Sequence, residues 1–394
     1  MLRQAFGQLR RGARRSAAVV CAGAAVVSES AAQASPQATP DTARTWVFES
    51  VAARIRVDVV AEGLTVPWGM AFLPDGRLLV SERPTGRLSL VDVGTGAVTR
   101  VEGVPAVHGE EDGGMLDVVL HPRYREKGWI YFSYAVHTPE GNTTVVDRAR
   151  LRGTRLVDRQ RLFTAQPYID NSNHFGSRLV LHEGYLFVSL GERDLRDLAQ
   201  DLGTHHGKIV RLHEDGRVPD DNPFVRRAGA RPEIWSYGHR NPQGLAVNPS
   251  TGELWEHEHG PKGGDEVNVI HPGGNYGWPV ITYGREYEGG LVGAGLTERK
   301  GLEQPLYYYV PSIAPSGMEF YTGDAFPKWR GNLFIGAMAL RHLNRLVIET
   351  GRVVREERLF ADRRWRVRVV RQGPDGLLYI GVDDGRILRL RPER

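Results

Sequence analysis

Residues 184–189 read GYLFVS, a glycine followed by four apolar residues and a serine. The phrase returns as GRLLVS (76–81), GWIYFS (128–133), GELWEH (252–257), GNLFIG (331–336) and GLLYIG (376–381). Successive strand residues face opposite sides, so apolar residues at consecutive positions mark a strand buried on both faces. Turn formers precede several copies: PDG at 74–76 and 374–376, PSTG at 249–252. Second strand phrases follow, such as GRLSLVD from 86, GKIVRLHEDG from 207 and GRILRL from 385, and others precede, such as WGMAFLP from 68, GMLDVVLHP from 114 and QGLAVNP from 243. Each repeat is thus three or four short strands. About 360 residues over six repeats gives about 60 per unit, enough for four strands and long loops. The reading is an all-β fold, a six-bladed β-propeller; a pair of β-sandwiches would not explain six spaced copies of one phrase.

The chain begins with arginines at 3, 10, 11, 14 and 15, then an apolar run from Ala17 to Val27 and the small-x-small pattern Ala32-Gln33-Ala34. That predicts a secretory signal over 1–34, since the apolar run is too short to span a membrane, and a periplasmic or secreted protein. The arginine pairs permit twin-arginine export. Residues 35–45 read as a disordered leader and 46–394 as the propeller. The signal holds five of the 51 basic residues and one of the 47 acidic ones, leaving 46 of each. A balanced mature chain gives no reason to expect nucleic acid as partner. The single cysteine, Cys21, leaves with the signal, so the mature chain carries no disulfide, thiolate metal site or thiol nucleophile.

Loops at one end of a propeller's channel converge on a shared site. The long polar segments are 108–117, 168–206, 236–287 and 336–371. His174, in NSNHFGS, is available as a general base or as a brace for its loop. Arg240 and Asn241 precede Pro242 and offer a donor fork and an amide to ligand oxygens. Arg366 and Arg368, two apart, share a strand face and suit an anion if they face the channel. The pairs His205/His206 and His257/His259 lack a third ligand at definite spacing for zinc. EHGPKGGDEVNVIHPGGNYGWP, residues 258–279, fits a hard cation, with carbonyls at Gly260 and Pro261 and a carboxylate at Glu266.

Together these runs resemble the soluble, pyrroloquinoline quinone (PQQ)-dependent aldose sugar dehydrogenases, relatives of soluble quinoprotein glucose dehydrogenase. The matching phrases are GGMLDVVLHP, HFGSRL, YLFVSLGER, AQDLGTHHGKIVRL, PEIWSYGHRNPQGLAVNP, ELWEHEHGPKGGDEVNVIHPGGNYGWP, PSIAPSGMEFYTGDAFPKWRGNLFIGA and VRQGPDGLLYI, in family order from about residue 60. The resemblance implies PQQ over the channel with Ca²⁺ beneath it, and oxidation of an aldose at C1 to the lactone. It makes His174, assisted by Glu192, the base for the C1 hydroxyl, with the hydride passing to the quinone. Arg240 and Asn241 lie against the quinone oxygens, Tyr287 neighbours PQQ, and Arg366 and Arg368 bind its carboxylates. Gly260 and Pro261 hold the PQQ-associated calcium, and Glu266 with Tyr276 a further one.

The chain departs from the family pattern twice. Asp112 stands where relatives carry a glutamine beside PQQ, and an unpaired carboxylate there opposes an anionic cofactor. Ala337, Met338 and Ala339 occupy the place of a PQQ-binding GALK run, so its lysine is replaced by Ala339; Arg341 is a candidate substitute. These changes keep two alternatives open: a binding propeller without the cofactor, and a calcium-dependent lactonase. The dianion clamp at Arg366 and Arg368 argues against the lactonase. With no CxxCH haem motif, electrons pass to an external acceptor. A monomer or homodimer without a membrane span completes the expectation.

Overall fold

The computed structural model describes residues 44–393. The expected signal peptide and all but the last two residues of the expected leader lie outside them. Six antiparallel sheets make up the molecule. Each repeated phrase supplies the second strand of one sheet: Leu78–Glu82, Trp129–Thr138, Tyr185–Leu190, Leu254–Glu258, Leu333–Ala337 and Leu378–Val382. Four of these are buried at every position, as consecutive apolar residues require.

The alternation of side chains builds the ring. In the first blade Leu79 packs with Val118 and Phe132 of the second, whereas Leu78 and Val80 pack with Val369 and Tyr379 of the sixth. One strand therefore feeds two neighbouring cores. Four further clusters fill the remaining blade interfaces. The first strands of the six sheets, starting at Pro67, Met115, Leu179, Pro242, Pro315 and Val367, lie each against the next, and the sixth returns to the first. The architecture is a closed six-bladed β-propeller.

Closure uses both ends of the described chain. The sixth sheet takes Val367–Gln372, Leu378–Val382 and Ile387–Pro392 from the C-terminal side and Arg54–Ala61 and Thr45–Glu49 from the N-terminal side. Val57 pairs with Leu390 across that seam. No described helix is long and apolar enough to cross a membrane.

The six inner strands all run the same way, so the channel has two different mouths. Where they end, an open cavity of about 470 Å³ is lined by apolar residues such as Phe72, Leu181 and Phe320 and by the polar Glu319, Arg371 and Gln372. Between the mouths the channel is filled by charge. Arg178 donates to Asp117 at 3.2 Å and stacks on Trp68 at 3.7 Å, while Arg371 pairs with Glu319 at 2.9 Å.

Candidate functional site

Where the inner strands begin, a second cavity of about 160 Å³ is lined by residues from all six blades. His174, Asp112, Arg240, Asn241, Gly260, Pro261, Tyr287, Met338 and Arg368 all line it. Ala337 is buried in its strand, while Ala339 and Arg341 are exposed and do not line the cavity. Arg366 does not line it, and Glu266 and Tyr276 line a separate space of about 10 Å³.

His174 sits in a tightly fixed loop. Its φ is +49°, in the left-handed region uncommon for non-glycine residues. Its amide donates to Asp112 Oδ2 at 3.1 Å, and Nδ1 lies 2.7 Å from Glu192 Oε2, a fully buried carboxylate. That bond assigns the proton to Nδ1 and leaves Nε2 with the lone pair. Arg193 grips the same loop, donating to Asn173 O at 2.8 Å and stacking on Phe175 at 3.7 Å, one residue either side of His174. Gly191 lets the strand approach: a Cβ there would lie 2.1 Å from His174 O.

Arg240 and the glycine loop form one unit. Arg240 Nη1 donates to the carbonyls of His259 at 3.1 Å and Gly260 at 2.9 Å. The Gly260 amide donates to Asp265, whose other oxygen accepts from Ser312 Oγ, Ile313 N and Ala314 N. Burial pushes Asp265 up to about 6 against the pull of those four hydrogen bonds. The carboxylate thus ties the Gly260–Pro261 carbonyls to the loop entering the fifth blade.

Arg366 and Arg368 converge on Asp383, at 2.9 and 2.8 Å. Burial raises the Asp383 carboxyl, but the two guanidiniums outweigh it and hold it below the usual range. The pair is therefore half-neutralised before any ligand enters.

Beneath Arg240, Glu258 faces Glu266 across two strands, and Glu256 faces Asn268. Ligand atoms of His239, Glu256 and Glu258 lie within 4.8 Å of one another. None of the three carboxylates forms an ion pair with a lysine or arginine among the described residues. Burial pushes Glu258 up to about 8, and burial with the Glu258 charge raises Glu256 and Glu266. Glu256 Oε1 and Asn268 Oδ1 are buried without partners. Unpaired buried carboxylates cost several kcal/mol unless protonated or joined by a cation, so this oxygen-rich set fits a hard cation. Tyr276 places its ring 4.6 Å from His239 and its hydroxyl on Val269 O.

Four histidines considered for zinc are otherwise engaged. His205 contacts Glu233, His206 the Pro167 carbonyl, His257 the Ser316 carbonyl and His259 the Pro315 carbonyl.

Comparison with known proteins identifies the family of the chain. The model of the Glucose / Sorbosone dehydrogenase family matches residues 64–389. The chain belongs to that family. It is 42% identical over 347 residues to aldose sugar dehydrogenase YliI of Escherichia coli K12, covering 86% of this chain and 94% of that protein. The crystal structure of the soluble aldose sugar dehydrogenase from Escherichia coli in the apo-form superposes with a TM-score of 0.83 at 42% identity, over 86% of this chain and 100% of that one. The PQQ-bound aldose sugar dehydrogenase of Streptomyces coelicolor does so at 0.70 and 28% identity, over 86% and 99%.

Within this family member, sequence reasoning passed over Arg83, Trp68, Gln243 and Ser312, all of which line the cavity, and the buried His239, Glu256 and Glu258. A signal was present. Arg83, Glu192, His259, Met338 and Asp383 each follow within two residues of a repeated strand, the point where chain leaves the sheet at the cavity end.

Proposed function

We propose that this chain oxidises aldoses at C1 to lactones with PQQ and Ca²⁺, and that His174 is the general base. The single observation that carries the reading is the His174–Glu192 dyad in a cavity whose wall holds three guanidiniums, Arg83, Arg240 and Arg368, against one carboxylate, Asp112. The residues fit an anionic carbonyl-bearing cofactor: the buried Nε atoms of Arg83 and Arg240 have no partner, and donors without acceptors cost about 1–3 kcal/mol each. When bound, PQQ with its calcium supplies the two-electron oxidising capacity.

The protein's own residues do the rest. Nε2 of His174 takes the C1 hydroxyl proton, and Glu192 stabilises the imidazolium that results. Arg240 offers fixed positive charge where negative charge develops. Gly260 O and Pro261 O are the carbonyls for the active-site cation, Gly260 O keeping a second lone pair beside its Arg240 bond. Asn241, Tyr287, Met338 and Arg368 line the cofactor's place, and Arg366 joins Arg368 on Asp383. Glu266, with Glu256, Glu258 and Tyr276, belongs to the second cation. Export through the signal read over residues 1–34 and an external electron acceptor are part of the same reading.

Apo-protein is mixed with PQQ, Ca²⁺, an aldose and an artificial dye. The reading expects PQQ-dependent dye reduction and quinone absorbance that survives desalting; absence of both across several aldoses overturns it. His174→Ala should abolish turnover and keep PQQ bound. Unchanged turnover would remove His174 from its role.

A further inference from the structure

Arg83 follows the second strand of the first blade, Leu78–Glu82, and reaches the cavity from the side opposite Arg240. Its side chain is 18% exposed. Of its five donor hydrogens, the described structure uses few. Nη1 donates to the Glu111 carbonyl, and the nearest carboxylate oxygen, Asp112 Oδ1, is 3.9 Å away on a side chain 51% exposed. Nε is buried with no partner at all.

A buried arginine that braces a fold looks different. Arg193 spends its guanidinium on Asn173 O, Asn142 Oδ1 and Asn171 O, and Arg345 on Glu357 and Asn332. Nor is Arg83 neutralised as Arg366 and Arg368 are. Those two share Asp383, whereas a half-exposed carboxylate at 3.9 Å screens little. Arg83 and Arg368 both line this cavity, and burial, then the Arg368 charge, lowers the Arg83 pKa. An anion between them relieves both.

We propose that Arg83 is a direct contact for a carboxylate of the anionic cofactor, beside Arg368 of the neighbouring blade, restoring the positive charge that Ala339 lacks. The proposal rests on the PQQ reading above and concerns only which residue supplies the charge. Arg341, the sequence's nearer substitute, is exposed and does not line the cavity. Asp112 then has a defined part: it competes with the ligand for Arg83 and holds the His174 amide.

The test measures PQQ binding without turnover, by equilibrium titration of Ca²⁺-supplemented apo-protein followed by quinone absorbance. Arg83→Gln should bind PQQ roughly 10- to 100-fold more weakly, the range for one charge-assisted contact, and the difference should narrow in 1 M salt. Arg83→Lys should recover part of the affinity. Asp112→Asn, which frees Arg83, should tighten binding. Thermal melting of each variant confirms that it is folded; if Arg83→Gln is not, the Arg83→Lys and Asp112→Asn shifts of opposite sign decide. Unaltered affinity in Arg83→Gln overturns the proposal and leaves the PQQ reading standing. Failure of the unsubstituted chain to bind PQQ overturns that reading, and the proposal with it.

Discussion

At the scale of single residues, the proposed base rests on a buried carboxylate touching its ring nitrogen. Glu192 has no exposed side-chain surface and one oxygen on His174 Nδ1; its other oxygen is buried and unpartnered. A carboxylate held at such cost is consistent with service to a positive charge that forms during turnover. Glu192→Gln keeps size and one hydrogen bond but removes the charge, so kcat should fall about 10²–10³-fold while PQQ affinity stays within about twofold. The same titration and a steady-state assay check this. A loss of affinity equal to the loss of kcat would mean that Glu192 merely shapes the cavity.

At the scale of elements, the proposed cation site rests on the loop after the fourth blade's second strand, Leu254–Glu258. A Cβ on Gly260 would lie 2.3–2.4 Å from the backbone of Gly263 and Gly264, so the loop cannot keep its path around any side chain. Gly260→Ala should cost about 1–3 kcal/mol as overpacking does and lose the melting-temperature rise on adding Ca²⁺. Gly252→Ala is the contrast: φ is +75° but a Cβ meets nothing within 4 Å, so the cost is about 1–2 kcal/mol from backbone strain alone, with the Ca²⁺ response kept. Calorimetry with and without Ca²⁺ separates them; an unchanged response in Gly260→Ala would take these carbonyls out of the cation's shell. The repeated strands were legible because consecutive apolar residues have one explanation in a layered fold. The loop's composition suggested a hard cation without deciding it, and the family resemblance supplied Gly260 and Pro261 as the proposed carbonyls. Arg83 was not legible, because its meaning depends on the first blade meeting the sixth where the ring closes. Glu256 and Glu258 were hidden similarly: in sequence they read as polar letters in a strand, and only the fold shows them buried opposite Asn268 and Glu266.

At the scale of the whole molecule, the ring depends on a seam that no repeated phrase announces. Thr45–Glu49 and Arg54–Ala61 carry no glycine phrase, yet they complete the sixth sheet beside Ile387–Pro392. Trp46, Ile55 and Val57 are buried in the cluster shared by the fifth and sixth blades, with Trp329, Trp365 and Leu388, and Val60 in that between the sixth and first. At about 1.5–3 kcal/mol for each large buried side chain, these four contribute roughly 6–12 kcal/mol. A folded domain's entire net stability is about 5–15 kcal/mol, so the seam decides whether the ring stays closed. Asp58 reinforces it, accepting from Arg391 at 2.6 Å and Arg56 at 2.9 Å. A chain starting at residue 62 should therefore melt at least about 10 °C lower or not fold cooperatively, and it would expose Ile387–Pro392 as an unpaired edge prone to self-association. A synthetic peptide of residues 44–61, added in trans, should pair with that edge and raise the melting temperature, because strand addition uses the same backbone hydrogen bonds. Melting of the shortened chain at the temperature of the full one would show that the ring holds without its seam.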